Sequence, residues 1–196
     1  MGRPRPWPQV HASFAGTRFL VGRPDLAHVV RLHAVVLAES PGSGLELPVL
    51  VIDAYEGSLE TWLARNGAAD PATCRRWLIQ IVQALQTSQL VHRDLKPGNV
   101  LIDRHGDAYL GDFGLAVPAN PFIRKRNGMN LGGLMGTAIY MAPEQIGEAD
   151  NLDVRADIFA LGLLAYELLM GRPARPLRGA DMTEDDYLDL LIDLPI

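Results

Sequence analysis

Hydrophobic and polar residues follow one another along this chain in a few distinct rhythms, and the rhythms divide it. Val29 to Leu37 (VVRLHAVVL) and Leu47 to Ile52 (LPVLVI) are short and rich in β-branched residues, with Ser40-Pro41-Gly42-Ser43-Gly44 between them. They predict two strands paired as an antiparallel hairpin. Ser58 to Arg65 turns Leu59, Trp62 and Leu63 inward and stops at Asn66-Gly67, which predicts a short amphipathic helix. Asp70-Pro71 is an N-cap followed by proline at the first helical position, and Trp77, Leu78, Ile81, Val82 and Leu85 then recur at helical spacing. A core helix over 71–88 follows. Val100-Leu101-Ile102, a turn from Asp103 to Asp107 carrying Gly106, and Tyr109-Leu110-Gly111 predict a second, tighter hairpin. Ile158 to Met170 is apolar nearly all round, so it predicts a central helix surrounded by other elements, ended by Gly171-Arg172-Pro173. Met182 to Leu194 predicts a last helix, capped by Thr183 with Glu184 to Asp186 in its first turn. His11 to Leu26 has no clear period, and Met1 to Pro8, rich in proline and arginine, reads as an extended tail.

Composition narrows the class. The chain has 196 residues, 48% of them hydrophobic, and a net charge of −5. That is enough for one domain with a real core, and it is not the composition of a disordered or nucleic-acid-binding protein. The lone Cys74 excludes an intramolecular disulfide framework, agrees with a reducing compartment and reads as a packing residue. The run from Ile158 to Met170 is too short to cross a bilayer and carries Glu167. MGRPRPWP lacks the apolar segment of a secretion signal, and Pro6 stands where a myristoylation site wants Ser or Thr. The expectation is a soluble, cytoplasmic protein that engages neither membrane nor nucleic acid. His28 and His33 flank the first strand without further ligands and read as surface or structural residues.

The chemistry is concentrated between Val91 and Leu115, VHRDLKPGNVLIDRHGDAYLGDFGL. His92-Arg93-Asp94 is followed by Lys96 and Asn99, and then by Asp112-Phe113-Gly114. This is the H-R-D-L-x-x-x-N and D-F-G pattern without a mismatch, and the chain resembles the protein kinase family. The lysine in HRDLKPGN resembles the serine/threonine branch. The set continues with Gly136-Thr137, Tyr140-Met141-Ala142-Pro143-Glu144 and Asp157-Ile158-Phe159-Ala160-Leu161-Gly162, so the resemblance runs from about Leu26 to Leu191.

The resemblance implies an α+β, protein-kinase-like fold: a mainly helical large lobe with a two-strand remnant of the small lobe. It divides the chain into a tail (1–25), a small-lobe remnant (26–52), a hinge (53–57) and an incomplete large lobe (58–196). It implies transfer of the ATP γ-phosphate to a protein hydroxyl, with ATP, Mg2+ and a protein substrate as partners. Phosphoryl transfer needs a proton acceptor, a cation near the γ-phosphate and hard oxygen ligands for magnesium. Asp94 fits the first role, Lys96 the second, and Asn99 with Asp112 the third, provided the 100–111 hairpin brings them to one end. By resemblance Ile52 guards the back of the nucleotide pocket, Asp53, Ala54 and Tyr55 form the adenine-binding hinge, and Leu101 contributes to the pocket. Thr137 would hydrogen-bond Asp94, His92 would pack on Phe113 beside Gly114, and Asp157 would tie its helix to the catalytic-loop backbone. Glu144 is the family residue that pairs with an arginine; an unpaired buried charge there would be destabilising.

The departures are as specific as the matches. Lys96 and Lys125 are the only lysines, no acid other than Asp25 precedes Glu39, and no G-x-G-x-x-G occurs near the start. The family's ATP-gripping lysine, its glutamate partner and its glycine loop therefore have no candidates. No Ser, Thr or Tyr lies between Asp112 and Thr137, so no phosphate can be added there to meet Arg93. That segment instead carries Arg124-Lys125-Arg126, a basic run that reads as a solvated face or a contact for an acidic substrate. Two readings stay open: a serine/threonine kinase with an intact catalytic loop, or a pseudokinase-like scaffold that keeps the lobe as a binding surface. Either way a partner chain or further small-lobe sequence would complete the site. The polypeptide by itself is expected to bind ATP weakly, transfer little phosphate and expose the apolar face of its 47–52 strand.

Overall fold

The computed structural model describes residues 20, 23, 25–39, 46–118, 138–147, 152–179 and 181–194. The 1–8 tail, the 40–44 loop, the 124–126 basic run and Thr137 lie outside them. Among the described residues there are seven strands and five α-helices. The strands are β1 (Leu32–Glu39), β2 (Glu46–Ile52), β3 (Gly57–Ser58), β4 (Leu90–Val91), β5 (Val100–Ile102), β6 (Ala108–Leu110) and β7 (Val117–Pro118). The helices are α1 (Leu59–Asn66), α2 (Pro71–Ser88), α3 (Pro143–Gly147), α4 (Val154–Met170) and α5 (Glu184–Asp193). The architecture is α+β, with helices carrying most of the core.

Helix α2 forms where its caps dictate. The Asp70 carboxylate accepts from the backbone N–H of Ala72 (3.0 Å) and Thr73 (3.1 Å), satisfying donors that the first turn leaves open. Cys74, Trp77, Ile81 and Ala84 are buried along one face. That face lies on the β5–β6 hairpin, whose register pairs Val100 with Leu110 and Ile102 with Ala108. Polar groups lock the helix there: the Gln80 side chain accepts from Ala108 N–H (2.8 Å) and donates to Asp107 (2.7 Å), and Trp77 Nε1 donates to the Gly106 carbonyl (2.8 Å). Helix α1 starts with a reciprocal capping box between Ser58 and Thr61, and its Trp62 meets Trp77 edge to face at 5.0 Å.

Helix α4 ends at Gly171, in the left-handed region (φ 68°), and a Cβ there would come within 2.8 Å of Ala68 N. Glycine is needed on both counts. The close approach lets Ala69 N–H reach the Leu168 carbonyl (2.7 Å), tying the end of α4 to the α1–α2 connection. The helix begins at Val154, four residues before the start of the apolar run. It is also less enclosed than its composition predicts. Leu163, Leu164 and Leu168 are buried, yet Ile158 is 63% exposed and Leu169 and Met170 are also open. Among the described residues only one side of this helix is covered, so an all-round apolar sequence does not translate here into all-round burial. No helix among them is long and apolar enough to cross a membrane.

Strands β1 and β2 form an antiparallel ribbon from Leu32↔Ile52 to Glu39↔Glu46. The predicted strand over 29–37 is shorter at its start, because Val29 and Val30 are claimed by a different sheet. His28 takes a left-handed conformation (φ 56°), its carbonyl accepts from Leu110 N–H (2.8 Å), and Val30 N–H donates to the Leu110 carbonyl (2.8 Å). Val29 thereby forms a parallel bridge to Leu110, and both valines are buried. Beyond this junction burial stops. Val36, Leu37, Leu47, Val49, Leu50, Val51 and Ile52 are each at least 36% exposed.

Candidate active site

The turn between β4 and β5 gathers the motif residues. His92 is fully buried, with its ring 4.7 Å from that of Phe113 in an edge-on contact and its Nε2 2.8 Å from the Gly111 carbonyl oxygen. Its backbone N–H donates to Asp157 Oδ2 (2.8 Å), and that of Arg93 donates to Asp157 Oδ1 (2.9 Å). One carboxylate from the first turn of α4 thus satisfies two consecutive buried amides. Burial pushes the Asp157 carboxyl up, against the opposing pull of those N–H groups and of the positive charge at Arg93. Arg93 sits in the left-handed region (φ 71°), a conformation that non-glycine residues keep only where surroundings over-determine it. Here they do: the Gln145 amide donates from Nε2 to the Arg93 carbonyl (2.9 Å), opposite the Asp157 clamp.

Asp94 follows, nearly buried. Lys96 Nζ donates to both of its carboxylate oxygens (2.9 and 3.2 Å), and Asn99 Nδ2 donates to Oδ2 (2.9 Å) and to the Asp94 carbonyl (2.7 Å). The carboxylate is therefore fixed by two charge-assisted contacts and an amide. The β5–β6 hairpin delivers Asn99 and Asp112 to the same end, with Gly111 N–H donating to the Asn99 carbonyl (2.8 Å). Both side-chain bonds of Asn99 are donated by Nδ2, so its Oδ1 is the oxygen it can offer a cation. The Asp112 carboxylate is exposed, on a left-handed backbone (φ 50°) that begins the Phe113–Leu115 turn.

Next to these groups is a cavity of about 370 Å³ lined by Leu20, Val30, Leu32, Leu50, Ile52 and Leu101 on its apolar sides and by Asn99 and Asp112 at its polar end. Apolar walls beside two oxygen donors fit a flat heterocycle and a magnesium ion held together, since Mg2+ takes few protein oxygens and keeps waters and phosphate as further ligands. Ile52 and Leu101 both line this space. Asp53 lies apart from it, paired with His33 at 2.6 Å, and Tyr55 packs on Tyr109 with ring centroids 5.5 Å apart. His28 and His33 thus act as ties, through Ala108 and Asp53, and no metal cluster of His, Cys, Asp or Glu occurs among the described residues.

One expectation changes. Glu144 does not introduce a buried unpaired charge: it is exposed on α3, and Arg155 lies near enough to feel its charge. Its neighbour Gln145 is the buried one, accepting from Ala142 N–H (3.0 Å) as well as donating to Arg93. Three further polar residues, to which the motif reading gives no role, are also held in place. Tyr140 donates its hydroxyl to Glu167, a buried pair in which burial holds the Tyr140 hydroxyl well above its ordinary range. Burial also pushes the Glu167 carboxyl up, opposed by that hydrogen bond and reinforced by the charge of Glu60. Arg175, 5% exposed, donates to the carbonyls of Met141 (2.7 Å) and Leu191 (2.9 Å) and stacks on Phe159 at 4.9 Å. A charge inside an apolar helix was the only available signal, and it marked Glu167 alone.

Against known proteins, the protein kinase domain profile matches residues 24–191. A serine/threonine-protein kinase PknL of Mycobacterium tuberculosis is 35% identical over 187 residues, covering 91% of this chain and 44% of that protein. A probable serine/threonine-protein kinase PknB of Bifidobacterium longum is 29% identical, over 78% of this chain and 22% of the relative. The serine/threonine-protein kinase fused of Drosophila melanogaster is 38% identical over 149 residues, 72% of this chain and 17% of the relative. The chain spans less than half the length of each of these three relatives.

Proposed function

The chain belongs to the protein kinase family, and from that premise we propose that it works as a serine/threonine protein kinase, moving a phosphoryl group from Mg-ATP to a hydroxyl of a protein substrate. The observation that carries the reading is Asp94: a nearly buried carboxylate gripped by Lys96 and Asn99 on a backbone clamped from both sides. A base must be held within hydrogen-bond reach of the proton it takes, and this one has little freedom left.

In this reading Asp94 accepts the proton of the substrate hydroxyl as its oxygen bonds to the γ-phosphorus and the bond to the β–γ bridging oxygen breaks. Lys96, already beside Asp94, faces the negative charge of the group in transit. Asn99 and Asp112 would hold Mg2+, which neutralises charge on the phosphate oxygens. Ile52 and Leu101 would sandwich the adenine ring, with residues 53–57 as the hinge between the 26–52 ribbon and the helical part. Thr137 would complete the contact to Asp94. The cytoplasm, where ATP and reduced thiols prevail, is the proposed place of work. A second reading, a binding module without catalysis, is favoured by one observation: no lysine precedes Lys96. Without a lysine or a glycine loop over the phosphates, a charge-assisted contact of about 1.5–3 kcal/mol is missing from this polypeptide.

The deciding experiment is radiolabelled-ATP turnover and calorimetry on the purified chain and on its Asp94→Asn variant. The expected result is slow turnover that falls by about a hundredfold or more in the variant while nucleotide binding persists. Binding without any turnover in the parent would favour the second reading. Turnover unaffected by Asp94→Asn would remove Asp94 from the role.

A further inference from the structure

Gln145 has no counterpart in the motif chemistry, yet it is 3% exposed and both ends of its amide are used. Oε1 accepts from Ala142 N–H (3.0 Å), so one end is held by the turn that opens α3. Nε2 donates to the Arg93 carbonyl (2.9 Å), which belongs to the peptide unit joining Arg93 to Asp94. That unit is planar and moves as one piece, so fixing its oxygen fixes the direction in which the chain enters Asp94. Arg93 is also the left-handed residue of the loop (φ 71°), the point where a relaxed backbone would turn elsewhere. Asp157 holds the residue by its N–H and Gln145 by its C=O.

The turn carrying Gln145 is itself anchored away from the loop. Arg175 grips the Met141 carbonyl from the side of α5, and Tyr140 is bonded to Glu167 of α4. Gln145 is thus the side chain that transmits this anchored frame to the catalytic loop.

We propose that Gln145 is a positioning residue that aims the Asp94 carboxylate, coupling the seating of the 138–147 segment to the geometry of the base. The proposal rests on the reading of Asp94 as the base, and its test separates the two. Gln145→Glu keeps an acceptor for Ala142 N–H but loses the donor, setting a carboxylate oxygen against the Arg93 carbonyl. Gln145→Leu removes both contacts. Each is compared with the parent chain by residue-resolved amide exchange and by kinetics with Mg-ATP and casein.

The expected result in Gln145→Glu is a fall in kcat of about ten- to a hundredfold. The KM for ATP should stay within about twofold, because the nucleotide contacts are untouched. Exchange at the His92 and Arg93 amides should rise by about tenfold with the α2 interior unchanged. Equal acceleration in α2 and in the loop would reduce Gln145 to ordinary packing and overturn the proposal, as would unchanged exchange at Arg93. If Gln145→Leu fails to fold, Gln145→Glu decides. If the parent chain turns nothing over, the kinase reading fails on its own account, and the exchange comparison alone still judges whether Gln145 holds the loop.

Discussion

The catalytic loop and the β1–β2 ribbon face each other across one cavity and are built on opposite terms. In the loop the motif residues are held by named partners: Asp94 by Lys96 and Asn99, His92 by Gly111 and Phe113, and the Arg93 backbone by Asp157 and Gln145. In the ribbon the main chain is paired across one edge, while seven large apolar side chains stand at least 36% exposed. The polar end of the cavity is therefore preorganised by its own surroundings. The wall that would cover a nucleotide base is present in outline and lacks backing among the described residues. Preorganisation in this molecule follows the density of partners around each wall.

The contrast is breakable, and the largest test of it is packing. Leu164 is fully buried at the middle of α4, so Leu164→Ala should cost about 2–5 kcal/mol in urea unfolding. Val49→Ala, at 43% exposure in the ribbon, should cost less than about 1 kcal/mol. Similar losses from the two would mean that the ribbon is covered in solution, and the contrast would collapse. Next is the cap of α1 on the helical side: Ser58→Ala removes the acceptor for Thr61 N–H, leaves the Ser58 N–H bond to Thr61 Oγ1, and should cost about 1 kcal/mol by the same measurement.

A subtler test uses pH. The Glu167 carboxyl is raised above its ordinary 4.5 chiefly by burial, so its ionised form is disfavoured in the folded state. Its stabilising contribution is then complete below that ordinary value and is lost as pH rises through the raised one. Glu167→Gln keeps an acceptor for the Tyr140 hydroxyl and abolishes the titration. The stability gap between parent and variant should move in the variant's favour as pH rises from acid toward neutrality. A gap independent of pH would place Glu167 in water instead of the core. Smallest in energy is the double change Leu37→Lys with Val49→Lys, expected to leave the unfolding midpoint within about 0.5 kcal/mol while raising solubility, measured by light scattering.

Much of this was legible before any coordinates. The α2 helix runs over the predicted 71–88 because its start is written in Asp70-Pro71 and its face in Trp77 and Ile81. Local signals of that kind survive tertiary context. The hairpin carrying Asn99 and Asp112 was readable for the same reason, with a glycine turn between two short apolar runs. What escaped depends on contacts across long stretches of chain. Nothing near Val29 announces that its backbone will bond Leu110 instead of extending β1, and nothing near Gln145 announces Arg93. The exposed side of α4 escaped for a third reason: an apolar sequence states what a helix can bury, and burial also requires neighbours. Glu144 shows the converse, since a residue expected to be hidden lies at the surface while the one after it is hidden.

The bridge between Val29 and Leu110 also has a consequence in time. The β5–β6 hairpin and α2 are joined by contacts such as Gln80 to Ala108, fewer than thirty residues apart, whereas His28 reaches Ala108 across eighty. Closing the longer loop costs more chain entropy and gives nothing back until its far end exists. During synthesis at about 5–20 residues per second, the 28–30 segment must wait roughly 4–16 s for its partner to be made. Over that interval the apolar ribbon that follows it is a nascent chain without a place to dock. Topology orders the docking and not the pairing of the ribbon: β1 and β2 can pair early, but they reach the helical part only once the junction at Leu110 has formed. Any shielding of β1 and β2 during synthesis would have to act within those seconds, before the pocket they help to wall has formed.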